Sequence, residues 1–567
     1  MPTGRKFAYG QFALAASKLP VPRKEELRLK TRQQWRYIGQ DAPLYDLADI
    51  CRGKATYGMD ISIEDMVYAA IERPPVVGGR VKSYENQDAL LVPGVQKTIS
   101  IPPFKPPHGV QPLGGVAVIA SNTWAAFQGR RKLQIIWEHG PNVSYNSDQF
   151  KQKLQETMRH PCKVVREEGD VDAAFAKSGK IIEAAYFVPH LAHASMEPPV
   201  AVADSREGKV RAWVPAQDPQ GVQAAIARAV GIRKEDVTCH VTLLGSAFGR
   251  KAFCDFAVEA AVLSKQLNKP VKVVWSREDD SKFDYYLPVA SVFLKAALDP
   301  LGKPTAWLQR SAFPPISSTF KSDARYASWE LNNNWIEVPF DVQNLRVENG
   351  PAQAHLRVGW LRSVASAYHT FGVGSFVDEM AHHAGRDSVE YLLDLFGSAR
   401  ILKLSIPNYR SEPDYPLDIG RLRRVTEIAA EKAGWGKRRL GKGRGLGIAA
   451  HRYAYTYVAS VVEVEVTERG DIRIPRINTA IDRQAYLAAG RGQEAAAEFQ
   501  KVLDHRGVVY ADPIGALAHL QLGRAYVVTG DMAKAKIAYH DFLNLWKDAD
   551  ADIPVFKQAK AEYARLR

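Results

Sequence analysis

The segment Gly245-Ser246-Ala247-Phe248-Gly249-Arg250-Lys251 holds the residue types and spacing most suited to chemistry. Its glycines let backbone N–H groups approach an anion or an oxo group, and a helix starting just after it adds positive potential. The spacing fits neither Gly-x-Gly-x-x-Gly nor a phosphate loop, in which Lys is followed by Ser or Thr. The same residues also suit a tight turn with no ligand. The 4 cysteines, Cys51, Cys162, Cys239 and Cys254, lack metal-ligand spacing, so a zinc or iron–sulfur site built from them is not expected.

Local signals define the elements around this loop. Asp218-Pro219 is a helix start, with an N-cap carboxylate and proline at the first helical position. Val222, Ile226 and Val230 form its apolar stripe, and Gly231 ends it. Val237, Cys239, Val241 and Leu243 alternate as a half-buried strand leading into the loop. Phe256, Ala260, Leu263 and Leu267 then mark a helix that Lys269-Pro270 terminates, followed by a strand from Val271 to Trp275. Further on, Asp387 and Glu390 suit a capping box, with Gly397 closing that helix. Residues 146–482 therefore read as α/β. So do residues 37–145, from short strands at Met66–Ile71, Gly115–Ala120 and Leu133–Trp137 and a helix at Thr123–Arg131. Residues 1–36 read as the remnant of an upstream segment.

At 567 residues the chain is too long for one core and should hold about three or four domains. With 46% hydrophobic and 24% charged residues it has an ordinary globular composition. The net charge of +14 is scattered, and the densest basic run, Lys437-Arg438-Arg439 with Lys442 and Arg444, reads as a solvated loop. No nucleic-acid motif accompanies it, so no nucleic-acid partner is expected. No apolar run reaches the ~18 residues of a membrane span. Arg5-Lys6 before Phe7–Ala16 has the order of a signal peptide, but Gly10 and Gln11 interrupt it and no clean cleavage site follows. Localisation stays unassigned: cytoplasmic as encoded.

Near Asp482 the character changes from strand to helical repeats. Ala485-Tyr486, Gly490, Ala495 and Phe499 recur as Ala525-Tyr526, Gly530, Ala535 and Tyr539, the small and aromatic residues that a helix–turn–helix repeat needs. Residues 483–567 are therefore expected to be an all-α, tetratricopeptide-like tail, a possible docking site for a protein partner.

Several ordered motifs accompany the glycine loop. They are His190–Pro199, Trp213–Gln220, Val274–Asp280, Arg357–Ser363, Phe371–Ala381 and His451–Val466. Together they resemble the molybdenum-binding large subunit of the xanthine dehydrogenase/aldehyde oxidase family, in its isoquinoline 1-oxidoreductase beta-subunit type. Residues 37–145 resemble that family's hammerhead-like domain, and 146–482 a partial molybdopterin-binding region. The resemblance implies molybdenum on a molybdopterin cytosine dinucleotide, and hydroxylation of an N-heterocycle or aldehyde carbon with oxygen from water. It also implies a small iron–sulfur subunit as electron-transfer partner. By it, Gln217 would bond a molybdenum oxo ligand, Gly245, Phe248, Gly249 and Arg250 would contact the cofactor, and Arg362 would line the substrate pocket. Without it, Gln217 reads as a helix-start polar residue and Arg362 as half of an ion pair. His190 and His193 are expected to pack or hydrogen-bond, because the pterin sulfurs hold the metal in this family. Arg277–Asp280 is expected to be a salt-bridged turn.

Two expected family segments are not matched: an N-terminal cofactor-contacting loop, and a C-terminal segment whose glutamate is the general base. Glu463 and Glu465, on the polar face of a strand, are not assigned that role. The reading at this stage is an oxidoreductase with an incomplete site. Its alternative is a non-catalytic fusion or truncated protein that binds a partner through the repeats.

Overall fold

The computed structural model describes residues 9–23, 26–27, 44 and 46–482 apart from 403, 405–415 and 454–455. In the tail it describes 520, 522, 524, 526–527, 531–545 and 554–566. Two units divide the chain, Ala55–Ala489 and Met1–Lys54 with Gly490–Arg567.

The larger unit is built on a seven-stranded mixed sheet. Its spatial order is Val237–Val241, Lys209–Val214, Val200–Arg206, Val271–Val274, Val67–Glu72, Gly115–Ala120 and Val95–Ile101. Val67 pairs with Val271 in a parallel register, so strands from either side of residue 145 share one sheet. The Pro219–Val230 and Asp255–Leu267 helices bury Val222, Ile226, Phe256, Ala260 and Leu263 in the same core as Val271 and Val273. Near this core Arg73 is wholly buried. It donates to Glu259 at 2.7 and 2.9 Å and lies 3.8 Å over the Trp275 ring, satisfying a charge that burial would otherwise make costly.

A second sheet runs Lys163–Glu168, Asn344–Gly350, Pro304–Ala312, Ala290–Leu298 and Ile181–Val188. A third, antiparallel throughout, joins Arg444–Tyr453, Thr456–Val466 and Ile472–Asp482. The strand predicted before Asp482 is therefore present, and Arg421 holds its last residue at 2.7 Å. The basic run is neutralised in part: Arg438 pairs with Glu463 at 2.9 Å and Arg444 with Glu465 at 3.0 Å. No described helix is long and apolar enough to cross a membrane.

In the smaller unit, the Met532–Leu545 and Pro554–Ala564 helices pack through Tyr539, Phe542, Phe556 and Ala559. Tyr539 donates to Glu562 at 2.7 Å, and Arg524 pairs with the same carboxylate. Ala535 is also buried. The first repeat, Ala485 to Phe499, lies outside the described residues.

Candidate functional site

Local chemistry places Gln217. Asp218 accepts from the Gly221 N–H at 2.9 Å and starts the Pro219–Val230 helix, which Gly231 ends in the left-handed conformation. Gln217 is the residue before that cap. Its own N–H donates to Lys251 O at 3.0 Å, which lays it against the glycine loop. Its Oε1 accepts from the Gly249 N–H at 3.1 Å. Since the oxygen must face the donor, the orientation of the amide is decided: the NH2 points away as a donor.

Arg362 comes from a third segment. Its backbone N–H donates to Phe248 O at 2.8 Å. Gln217, Phe248 and Arg362 are all exposed, and these hydrogen bonds bring the three residues together at the loop. The Arg362 guanidinium has no ion-pair partner among the described residues.

The backbone here is held away from its preferred conformations. Ala194, Ser246, Phe248, Ser363 and Val364, none of them glycine, have φ between 46° and 67°. Each costs on the order of 1–3 kcal/mol, and such strain persists only where surrounding contacts enforce it. Gly249 has φ 115°, and a Cβ there would stand 1.5 Å from Trp360 O. No other residue fits without moving that carbonyl.

The enforcing contacts lie beneath the loop. His193 is buried, with Nδ1 2.9 Å from Asp284 Oδ2 and Nε2 2.8 Å from Trp360 O. Asp284 and the Trp360 carbonyl thus hold the ring from both ends. Burial raises the Asp284 carboxyl, but the His193 hydrogen bond and Arg250 outweigh it and hold Asp284 below the ordinary aspartate value. Trp360 stacks on Phe253 at 4.6 Å, Phe253 on Tyr285 at 4.1 Å, and Arg357 lies 4.1 Å over Tyr285. That column fixes the segment carrying Trp360 and Arg362.

Arg250 differs from the other loop residues. Its side chain is wholly buried and turned inward, 3.0 Å from Asp255 and 3.2 Å from Asp284. A guanidinium held this way braces the loop from below and does not reach the surface. Lys251 is likewise buried, 2.6 Å from Glu197. Glu197 also accepts from the Met59 N–H at 3.0 Å and the Gly245 N–H at 3.2 Å, so Gly245 closes the loop against a buried carboxylate. Arg277 to Lys282 is a short helix capped by Ser276, not a turn. Arg277 pairs with Asp280 at 2.6 Å and also donates to Ser195 O and Met196 O, tying the His190–Pro199 segment down. His190 Nδ1 meets Leu287 O at 3.1 Å, and burial lowers its pKa to about 4.

Sequence reasoning did not single out Asp284, Tyr285 or the Glu197–Lys251 pair. A lysine inside an otherwise ligand-like loop, with Glu197-Pro198-Pro199 upstream, was the one signal pointing to the pair.

Among known proteins, residues 154–392 match the molybdopterin cofactor-binding domain family. The chain is 28% identical over 486 residues to isoquinoline 1-oxidoreductase subunit beta of Brevundimonas diminuta, covering 81% of this chain and 57% of that protein. It is 28% identical over 442 residues to the membrane-bound aldehyde dehydrogenase [pyrroloquinoline-quinone] of Gluconacetobacter polyoxogenes, covering 75% and 55%. Its fold matches quinoline 2-oxidoreductase from Pseudomonas putida 86 with a TM-score of 0.54 at 17% identity, covering 82% of this chain and 65% of that one. The chain thus carries a molybdopterin cofactor-binding domain and is homologous to the isoquinoline 1-oxidoreductase beta subunit. It spans about half the length of the curated relatives it matches.

Proposed function

We propose that this chain is part of a molybdenum hydroxylase large subunit that oxidises an N-heterocycle or an aldehyde, taking oxygen from water and passing electrons to a small iron–sulfur subunit. The observation that carries the reading is the Gln217 amide. With its oxygen committed to Gly249, its NH2 is a fixed donor at the rim of a strained glycine loop, next to Arg362, which has no ion-pair partner among the described residues. That donor set fits a metal–oxo group, which accepts hydrogen bonds and carries negative charge. The relative named for pyrroloquinoline quinone points to another cofactor, but the domain match over the same loop and motifs favours molybdopterin; the cytosine dinucleotide form is part of the proposal.

When bound, the group supplies two-electron oxidation of a carbon whose hydroxyl comes from water. This chain's residues bind and orient. The Gln217 NH2 would donate to the oxo ligand, the Phe248–Gly249 backbone would help hold the group, and Arg362 would offer a cation to the substrate. Arg250 acts through the loop as a positioning residue. Glu197 is held by three donors and Glu463 by Arg438, whose hydrogen bond keeps the Glu463 carboxyl below its usual range, so neither is free to take the substrate-step proton. The proton acceptor is not assigned to a described residue.

The test is co-expression with an iron–sulfur small subunit in a host that makes the cofactor. Molybdenum per chain and dye reduction driven by quinoline, isoquinoline or an aldehyde are then measured. Gln217→Ala should lower turnover about 100-fold, the usual effect of removing one oriented donor, while the fold is retained. A wild-type complex devoid of molybdenum would refute the proposal.

A further inference from the structure

Away from the Gln217 face, a cavity of about 930 Å³ opens between the proline-rich segment 101–112 and the two helices that flank the glycine loop. Its apolar walls come from Phe104 and Phe320 on one side and Ala229 and Val262 on the other. Its charged lining residues are Lys105, Arg228 and Lys265, with no carboxylate among them. Lys265 is committed to Val230 O, but Lys105 and Arg228 have no ion-pair partner among the described residues. The proline-rich wall is braced from within: Gln111 Nε2 donates to Lys105 O and Pro107 O, both at 2.9 Å. Gly109 N–H bonds Thr319 O at 2.8 Å, and Tyr285 Oη bonds Gly109 O at 2.8 Å. The cavity is therefore preformed, and a ligand entering it need not order the wall.

We infer that this cavity is a second ligand site, which takes a small amphiphilic anion: an aromatic or aliphatic body bearing one carboxylate or sulfonate. Its volume lies in the range of small-molecule pockets, and apolar walls with a few placed charges are what such pockets use. The two aromatic rings and Val262 would cover the apolar body. Arg228 from the helix wall and Lys105 from the proline-rich wall would hold the head group, a fork and a point charge. A cation would meet three like charges, and an uncharged body would leave the two unpaired cations unused. The inference stands whether or not the molybdenum reading holds, since no residue of the Gln217 face takes part.

The probe is 8-anilino-1-naphthalenesulfonate, titrated into the full chain and followed by its fluorescence, with octanoate as competitor. One saturable site is expected, displaced by octanoate and weakened by added salt. The double variant Arg228→Ala/Lys105→Ala should bind about tenfold more weakly, as expected for losing charge-assisted contacts. Val262→Trp, which fills the cavity, should abolish the site. The uncharged N-phenyl-1-naphthylamine should bind at least as weakly as the sulfonate binds the double variant. The double variant should unfold at the wild-type temperature, since neither Arg228 nor Lys105 has an ion-pair partner among the described residues. Equal affinity in wild type and double variant, equal affinity for the uncharged probe, or no saturable site would overturn the inference.

Discussion

Replacing Gly249 with alanine tests the argument that the loop is held by its approach to Trp360. The new Cβ would sit 1.5 Å from Trp360 O, whereas real Cβ contacts essentially never fall below 3.0 Å, so the carbonyl must retreat. Its bond to His193 Nε2 at 2.8 Å then weakens, at a cost of about 1–1.5 kcal/mol. The Gly249 N–H to Gln217 bond is worth about 1 kcal/mol. A left-handed alanine adds about 1–2 kcal/mol. The sum is about 4 kcal/mol. For the roughly 435 residues of the larger unit, an unfolding entropy of ~2.1 cal/mol/K per residue turns this into a fall in Tm of about 4 °C. Gly231→Ala is the control. Gly231 also has positive φ, 70°, but a Cβ there meets nothing within 4 Å, so only the backbone cost of about 1–2 kcal/mol remains, or about 1–2 °C. Scanning fluorimetry of the two variants side by side reads the difference. Molybdenum content should fall in Gly249→Ala and hold in Gly231→Ala. Equal Tm losses would show that Trp360 does not constrain the loop, and the account of its strain would fail.

The acid range gives a second check. Arg250 and Arg357 outweigh burial to hold Asp255 below the ordinary aspartate value, as His193 and Arg250 do for Asp284. The stability these groups contribute is present above the unfolded value of about 3.9 and is lost as pH falls through the lower folded values, while Asp280, raised by burial, works the other way. Urea midpoints should therefore drop more steeply below about pH 4 in wild type than in Asp284→Asn, and parallel curves would contradict this. Lys251→Met strands the buried Glu197 carboxylate and should cost about 3–5 kcal/mol in urea unfolding. Arg362→Ala, with an exposed side chain that has no ion-pair partner among the described residues, should stay within about 0.5 kcal/mol in the same assay; a larger loss would reveal a structural role for that arginine.

Much of the local structure was legible without coordinates because its causes are local. The Asp218 cap reaches a backbone N–H three residues on, Gly231 takes the turn that ends its own helix, and Val271–Val274 reads as strand from its run of β-branched residues. The position of the glycine loop between strand and helix followed from the same signals. What the chain alone did not decide depends on segments far apart meeting. Val67 beside Val271 joins in one sheet the segments that the sequence divides near residue 145. Gln217 and Gly249 bond to each other across the loop, and Trp360 closes on Gly249 from a third segment. Arg250 shows the difference most plainly. As a sequence it is a cation in a ligand-like loop. In the fold its side chain turns inward, because Asp255 and Asp284 converge beneath it and two buried carboxylates require a cation there. Residue type sets what a side chain is able to bond, but which partner it meets is a property of packing, and packing is settled only when the whole chain has closed.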